Sequence, residues 1–434
     1  MIDAVLLALG LVLSTTSQLR IAGAGVGPGE ICLLLFIGVR LGGITFQGGL
    51  RVTPVLFRLV LFWTLFAVAQ CIGTLTGYVI GDPHDPSLFM HDAIAYVLLG
   101  ACSILSVAEP GAHARLHQTA WLVALIGAAT LVLQICDGFG VIHVAGVDPW
   151  YWDRLRGWSE NPNQLAIFCA AHGLLSLHLL ETAKGPWAKA GAATSLVLAV
   201  VAGRLSQSDT FTLVLVASFP IFIGLKLQSW FALKERRLGL RKAAALAASL
   251  GLPVLALSAV PLGYSLAVEA EGFAKEMSKE GGKAANRESE LRLQLWGEAI
   301  ARGLESGMLG LGPGPHLPIP EALVAARLSE DGPKNIEHPE NNATYNFEAH
   351  STLLDLFTQG GLIAVASFLW LTISTFIATY RANLSGLCTL LMGLAIFVIF
   401  HLIIRHPLLW FAITLCLVEA ARLRPGPSLR QRSV

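Results

Sequence analysis

Charged residues are scarce in this chain, and their scarcity excludes most soluble architectures. Only 14% of the 434 residues are Asp, Glu, Lys or Arg, whereas 54% are hydrophobic. A typical soluble domain contains about a quarter charged residues. The composition therefore predicts a polytopic membrane protein.

The charges that are present form no basic patch. The formal net charge is +1 at pH 7, and Lys and Arg are spread over short segments between apolar runs. A nucleic-acid-binding protein gathers such residues on one face. We therefore expect no nucleic-acid partner.

Cysteine pairs and nucleotide-binding motifs are also missing from the polar segments. All seven cysteines lie in apolar runs, so the sequence offers neither a disulfide framework nor a zinc-type spacing. It contains no Walker loop, dinucleotide fingerprint or G-x-S-x-G sequence. Coupling to nucleotide hydrolysis has no support, and we expect no cofactor.

Long apolar runs fill most of the chain. A helix needs roughly 20 apolar residues to cross the hydrocarbon core. The runs lie at 2–17, 27–43, 55–79, 90–108, 118–137, 163–182, 187–203, 210–227, 243–268, 351–379, 384–403 and 407–422. The predicted fold class is all-α, with about 12 transmembrane helices. No basic residue precedes the first run and no small-residue cleavage site follows it, so we expect a retained helix.

The runs divide the chain into four predicted parts. Residues 1–268 hold the first nine transmembrane helices, 269–350 form one long polar loop, 351–422 hold the last three helices, and 423–434 form a tail. Basic residues concentrate in alternate loops and in the tail. Because cytoplasmic loops carry an excess of Lys and Arg, we expect both termini and the tail in the cytoplasm and the long loop outside it.

Five arginines break this charge pattern because they lie in predicted outer loops. They are Arg154, Arg156, Arg204, Arg292 and Arg405. The guanidinium keeps its charge and offers a planar fork of donors to phosphate oxygens, so these residues are candidates for an anion site. The alternative, strongest for Arg405 and Arg154, is that they reach lipid phosphates at the membrane surface.

The long polar loop contains two segments with a predicted structure. From Asn286 to Leu304, apolar residues recur at helical spacing, which predicts an amphipathic helix on or beside the membrane. A glycine- and proline-rich turn follows at 309–315, where glycine permits positive φ and close backbone approach. A purely structural loop is the alternative interpretation of this turn.

Two polar elements stand directly before apolar runs. His350 ends the long loop, and a side chain that titrates near neutral pH at this boundary suits chemistry on a lipid-anchored substrate. The alternative is a histidine at a helix start that bonds a neighbour. Asn161, Pro162 and Asn163 predict a helix cap with proline in the first turn. Contact of the asparagines with a sugar is the alternative.

Several short motifs resemble the O-antigen ligase and polymerase superfamily. They are the stretch 291–296, the glycines of 310–314, the run 350–354 with the pair at 360–361, and the element 156–163 before a helix. Their order, and the long loop before the last helices, are similar to the family's arrangement. Asp209 departs from it, because family members often have an arginine there. Arg204, about one turn earlier, is the candidate substitute, and a site without this contact is the alternative.

This resemblance implies a GT-C-like, metal-independent glycosyltransferase of the bacterial inner membrane with its active site facing the periplasm. Such enzymes take a glycan from an undecaprenyl diphosphate carrier. A ligase joins it to lipid A-core, and a polymerase joins it to another carrier-linked unit. His350 matches the family histidine, and Arg292 matches the family arginine. The expected partners are the lipid-linked donor, the lipid A-core or glycan acceptor, and membrane lipids.

The chemistry of such a donor leads to the same roles. A glycosyl diphosphate already has a good leaving group, so transfer needs cations for the diphosphate and a base for the acceptor hydroxyl. We assign diphosphate binding to Arg292, Arg204 and Arg156, and the base role to His350. The scheme needs no metal, and direct attack inverts the anomeric centre.

Other functions remain open at this point. Carboxylates and imidazoles late in the loop are candidate ligands for a divalent ion that bridges the diphosphate. They are Glu337, His338, Glu340, Glu348 and His350. Interruptions at 251–253 and 261–263 are typical of transporter helices, but the two halves of the chain show no matching pair. The sequence does not separate ligase from polymerase.

Overall fold

The computed structural model shows a bundle of helices and describes residues 1–20, 26–47, 52–82, 85–109, 111–233, 282–318 and 347–423. The α-helices in these ranges are α1 (Ile2–Leu13), α2 (Pro28–Gln47), α3 (Pro54–Ile80), α4 (Pro86–Val107), α5 (Ala112–Gly138), α6 (Pro162–Thr182), α7 (Pro186–Leu205), α8 (Asp209–Leu233), α9 (Gly282–Glu305), α10 (Thr352–Arg381), α11 (Ser385–Phe400) and α12 (Pro407–Leu423). A 3-10 helix (Ser17–Leu19) and an antiparallel hairpin of β1 (Trp150–Tyr151) and β2 (Arg154–Leu155) complete the regular structure. The chain is an all-α polytopic membrane protein.

Most of the predicted apolar runs coincide with a helix. Within the described ranges, eight helices are long and apolar enough to cross a membrane, namely α2 to α8 and α10. The helices α1 and α11 are apolar but shorter, and α12 covers the last predicted run. The predicted ninth run, 243–268, lies outside the described residues.

Helices begin where proline and a capping side chain allow. The first turns of α3, α4, α6 and α7 each contain a proline, which has no N–H to leave unpaired. The side chains of Thr53, Asp85 and Asn161 accept hydrogen bonds from backbone amides in the first turns of α3, α4 and α6. These caps satisfy donors that would otherwise lack a partner near the membrane surface.

Contacts between loops sort the helix ends into two faces. On the first face, which we call the histidine face, lie the 3-10 helix, the ends of α3, α5, α7 and α11, and the start of α10. Gln18 Nε2 donates to the carbonyl of Gly157 at 3.0 Å, and the amide of Thr352 donates to the carbonyl of His401 at 3.1 Å. All candidate site residues named from the sequence and described in the structure lie on this face.

The second face, called the opposite face, holds the other helix ends. Arg40 of α2 pairs with Glu109 after α4. Lys226 of α8 pairs with Glu181 of α6, whose carboxylate also accepts from the amide of Gly386 at 2.7 Å. Consecutive helices from α1 to α8 therefore alternate in direction, and α8 ends at the opposite face. The next described helix, α9, contacts the histidine face.

Aromatic packing holds α12 against α3 in the core. The rings of Trp63 and Trp410 lie 4.4 Å apart, and Phe62 lies 5.1 Å from Trp410. Large aromatic contacts of this kind add to the area that the side chains bury. The indole of Trp410 also donates to the carbonyl of Ile404 at 2.7 Å, so the core anchors the loop between α11 and α12.

The helix α10 is broken two turns from its start, and the predicted glycine turn fills the break. Gly361 has φ 60° and ψ −156°, so the helical ladder stops there. The amide of Gly312 donates to the carbonyl of Gln359 at 2.8 Å, and the amide of Leu362 donates to the carbonyl of Met308 at 3.0 Å. The backbone groups freed by the break thus find partners inside the protein, as a membrane environment requires.

Glycine is required where the turn touches the break. Gly310 has φ 88°, and a Cβ atom there would lie 2.4 Å from the carbonyl oxygen of Gln359. A Cβ on Gly73 of α3 would lie 2.3 Å from the same oxygen. Three backbone segments therefore meet at van der Waals contact, and the turn has a structural role.

Candidate functional site

His350 sits on a braced turn directly before α10. Its φ is 52°, a left-handed conformation that non-glycine residues adopt uncommonly. The carboxylate of Asp355 accepts from the amide of Ala349 at 2.8 Å and from the amide of Ser351 at 3.2 Å. These bonds hold the backbone on both sides of His350, so the backbone that carries the imidazole is fixed from within α10.

The imidazole of His350 is exposed at the surface of the histidine face but is surrounded by protein groups. The ring of Phe347 meets it edge-on at 5.3 Å. Desolvation by these surroundings lowers the pKa of His350 below its usual value, Glu348 acts to raise it, and Arg292 acts to lower it. The balance favours the neutral imidazole.

Arg292 reaches this region because α9 packs on the bundle. Leu295 and Ala299, one turn apart, are fully buried and form a small apolar cluster with Ala349, the neighbour of His350. This is the amphipathic helix expected from the sequence. Its buried stripe sets Arg292 beside the His350 turn.

A second histidine, His401, belongs to the same group of charges. It lies at the end of α11, is 8% exposed, and its Nε2 is 3.0 Å from Thr210 Oγ1. Burial lowers the pKa of His401 to about 3, and Arg292, His350 and Arg154 act in the same direction. This shift favours the neutral form of His401. Sequence reasoning missed it, because a histidine at the end of an apolar run has no local signature.

Arg154 is half-buried and bonded to protein groups. Its Nε donates to the carbonyl of Ser206 at 3.2 Å, and its Nη2 lies 3.4 Å from Asn163 Oδ1. Asn161 is the N-cap of α6, with its Oδ1 accepting from the amides of Asn163 and Gln164 at 2.7 and 3.2 Å. The asparagine pair thus caps a helix and supports Arg154, and reaching for lipid phosphate is not the role the structure gives this arginine.

The remaining two candidate arginines are placed differently. Arg156 donates to the carboxylate of Asp148 at 2.8 Å and to the carbonyl of Glu160 at 3.2 Å, so it braces the loop between α5 and α6. Arg204 is exposed at the end of α7 and donates to Thr212 Oγ1 at 2.6 Å. The structure brings Arg292 and Arg154 to the two histidines, while Arg156 engages its own loop.

Arg405 corrects an expectation from the sequence. Instead of reaching for lipid phosphate, it forms ion pairs with Asp92 of α4 and with Glu348, two residues before His350. Although burial acts to lower it, Glu348 and Asp92 raise the pKa of Arg405 above its usual value. No local pattern indicates this pairing, because Asp92 is more than 300 residues away in the chain.

The candidate metal ligands are described only in part. The residues that the structure describes contain no group of three or more His, Cys, Asp or Glu side chains arranged to hold a metal ion. Glu337, His338 and Glu340 lie outside them, and Glu348 is paired with Arg405. Asp209, where the family pattern has an arginine, is the first residue of α8.

Comparison with known families confirms the resemblance. Residues 194–369 match the family model described as O-antigen ligase. The match covers less than half of the chain, and it supports a likeness to the O-antigen ligase and polymerase superfamily. The matched residues include Arg204, Arg292, the glycine turn, His350 and the break in α10, whereas Arg154 and His401 lie outside them. A search of curated proteins and a search of solved structures each found no significant match.

Proposed function

We propose that this protein is a glycosyltransferase of the periplasmic leaflet of the bacterial inner membrane. It moves a glycan from undecaprenyl diphosphate to an acceptor sugar, and its acceptor is lipid A-core, which makes it an O-antigen ligase. The family domain supports a function of the ligase or polymerase type. Polymerisation onto a second carrier-linked unit, by the same donor chemistry, is the alternative.

The electrostatic influence of Arg292 on His350 is the observation that supports this function best. A neutral imidazole on a braced turn lies beside a permanent cation, in the part of the chain that matches the O-antigen ligase family. A general base must be unprotonated before reaction, and a diphosphate needs fixed positive charge. His350 and Arg292 meet these two requirements.

The transfer step follows from these two groups. The acceptor hydroxyl oxygen attacks the anomeric carbon of the donor while His350 takes the hydroxyl proton. The bond from the anomeric carbon to the diphosphate oxygen breaks, and its electron pair leaves with undecaprenyl diphosphate. Direct displacement inverts the anomeric configuration, and the protonated imidazole returns its proton to solvent or to the departing product.

Arginines replace a metal ion in this proposal. The developing charge on the leaving diphosphate is met by Arg292 and by Arg204, which is exposed on the same face. Bidentate guanidinium contacts suit phosphate oxygens and need no proton exchange. Arg156 has the supporting task of holding the loop that carries Arg154.

The test is a transfer assay with purified protein in proteoliposomes. The donor is a glycan linked to undecaprenyl diphosphate, and the acceptor is either lipid A-core or a second carrier-linked unit. Glycan on lipid A-core supports the ligase, and a lengthened carrier-linked glycan supports the polymerase. Failure with both acceptors, while the protein stays folded, contradicts the proposal.

A further inference from the structure

An ion-paired triad lies directly behind the His350 turn. Arg405, in the loop between α11 and α12, contacts Asp92 with one terminal nitrogen and Glu348 with the other. The side chain of Asp92 is 1% exposed, whereas those of Arg405 and Glu348 are each 24% exposed. The guanidinium thus joins three separate parts of the chain next to the candidate base.

A buried charge in such a triad has a structural cost unless it is fully paired. Removing one partner leaves another charge without compensation, which is strongly destabilising in a low-dielectric site. Arg405 is a further link between the core and the segment before His350, because Trp410 anchors the loop of Arg405 by its hydrogen bond to Ile404. The position of Arg405 is therefore fixed by the core of the bundle.

We infer that Arg405 is a positioning residue for the transfer reaction. By bridging Glu348 to Asp92 it fixes the segment that carries His350, and it keeps the Glu348 carboxylate engaged with a guanidinium rather than with the imidazole. This inference rests on the proposed function, in which His350 is the base.

The charges around His350 support the same role. The groups that face it are Glu348 on its own segment, Arg292 from α9, His401 from the loop after α11, and Asp355 from α10. His401 is neutral, and the Asp355 carboxylate accepts two backbone amides. Of these two carboxylates, Glu348 is the one that acts to raise the pKa of His350, and Arg405 is its partner.

Substitution of Arg405 should therefore change the protonation of His350. In Arg405→Gln the Glu348 carboxylate loses its cation and stabilises the imidazolium, so the protonation midpoint of His350 should rise by roughly one pH unit. At a pH well below both midpoints turnover should fall by about tenfold, with the donor KM nearly unchanged, and near pH 8 the loss should disappear. Glu348→Gln should move the midpoint downward, and the double variant should lack the upward shift.

The midpoint can be measured without transfer activity. Diethyl pyrocarbonate modifies neutral imidazole, so its rate at the peptide containing His350, followed by mass spectrometry over pH, gives the midpoint directly. The pH profile of turnover is recorded in parallel. Arg422→Gln is the matched control, because Arg422 lies on the opposite face with its side chain 60% exposed. It should leave both readouts unchanged.

Different outcomes would overturn the role of Arg405 and the role of His350. If folded Arg405→Gln and Glu348→Gln both keep the wild-type midpoint, or lose turnover equally at every pH, Arg405 is only a structural pair and the inference is wrong. If Arg405→Gln does not fold, two other variants test the inference. Arg405→Lys should have a reduced turnover, and Glu348→Gln should have a lowered His350 midpoint. If the midpoint moves while His350→Ala remains active, the proposed function is wrong, but the electrostatic effect of Arg405 and Glu348 on His350 is confirmed.

Discussion

The contact between the glycine turn and the break in α10 makes a sharp stability prediction for Gly361→Ala. Gly361 has φ 60° and ψ −156°, a region essentially restricted to glycine, where another residue costs roughly 1–3 kcal/mol. The new Cβ would lie 2.1 Å from the carbonyl oxygen of Met308. Because that atom is backbone, it cannot rotate away, so the turn must shift.

The magnitude follows from the bonds that such a shift breaks. The hydrogen bonds from Leu362 to Met308 and from Gly312 to Gln359 contribute about 1 kcal/mol each. Together with the backbone strain, the expected loss is roughly 3–5 kcal/mol in the free energy of unfolding, in the range that marks a specific structural conflict.

The assay is equilibrium unfolding in mixed detergent and SDS, with loss of helical circular dichroism as the signal. Gly297→Ala is the matched control, because Gly297 lies in α9 and a Cβ atom there would have open space within 4 Å. It should be neutral or more stable by up to about 1 kcal/mol. If Gly361→Ala unfolds at the wild-type SDS concentration, this packing of the turn is wrong.

Three further predictions concern orientation, metal and pH. A membrane-impermeant maleimide should label Val141→Cys, on the histidine face, in intact cells. It should label Trp187→Cys, on the opposite face, only after permeabilisation, with both signals measured above the background of the native cysteines. The reverse pattern would invert the topology. Transfer should survive a strong chelator, because arginines neutralise the diphosphate, and a loss restored by magnesium or manganese would favour the metal mechanism. The surroundings of His350 lower its pKa, so turnover should rise with pH through a midpoint below about 6.5. Arg292→Gln should move that midpoint upward, because Arg292 acts to lower the pKa of His350. An unchanged midpoint would show that Arg292 does not lie at the site.

The membrane-spanning architecture follows from the sequence because its physical cause is local. Hydrocarbon demands a continuous apolar run with all backbone bonds made within the helix, and such runs are visible in the chain. Helix starts are local as well, which is why Asn161 and Pro162 are predictable as a cap and a first turn. The buried stripe of Leu295 and Ala299 likewise follows from spacing alone.

The arrangement of the site does not follow from the sequence in the same way. The pairing of Arg405 with Asp92, and the position of His401 beside Arg292, depend on which helix ends meet in the bundle. No spacing pattern encodes a contact between residues several hundred positions apart. The resemblance points to His350 and Arg292 as candidates, but the groups that surround them become visible only in the fold.

The central claim is tested most directly by measuring turnover and donor KM for His350→Ala. A general base contributes roughly a hundredfold to ten-thousandfold in rate, so turnover should fall by that factor while the donor KM changes little. Arg292→Ala, measured beside it, should raise the donor KM, and Arg292→Lys should restore it only in part, because a point charge lacks bidentate contact. Near-normal turnover of His350→Ala would show that His350 has a structural role at the helix start and would contradict the account.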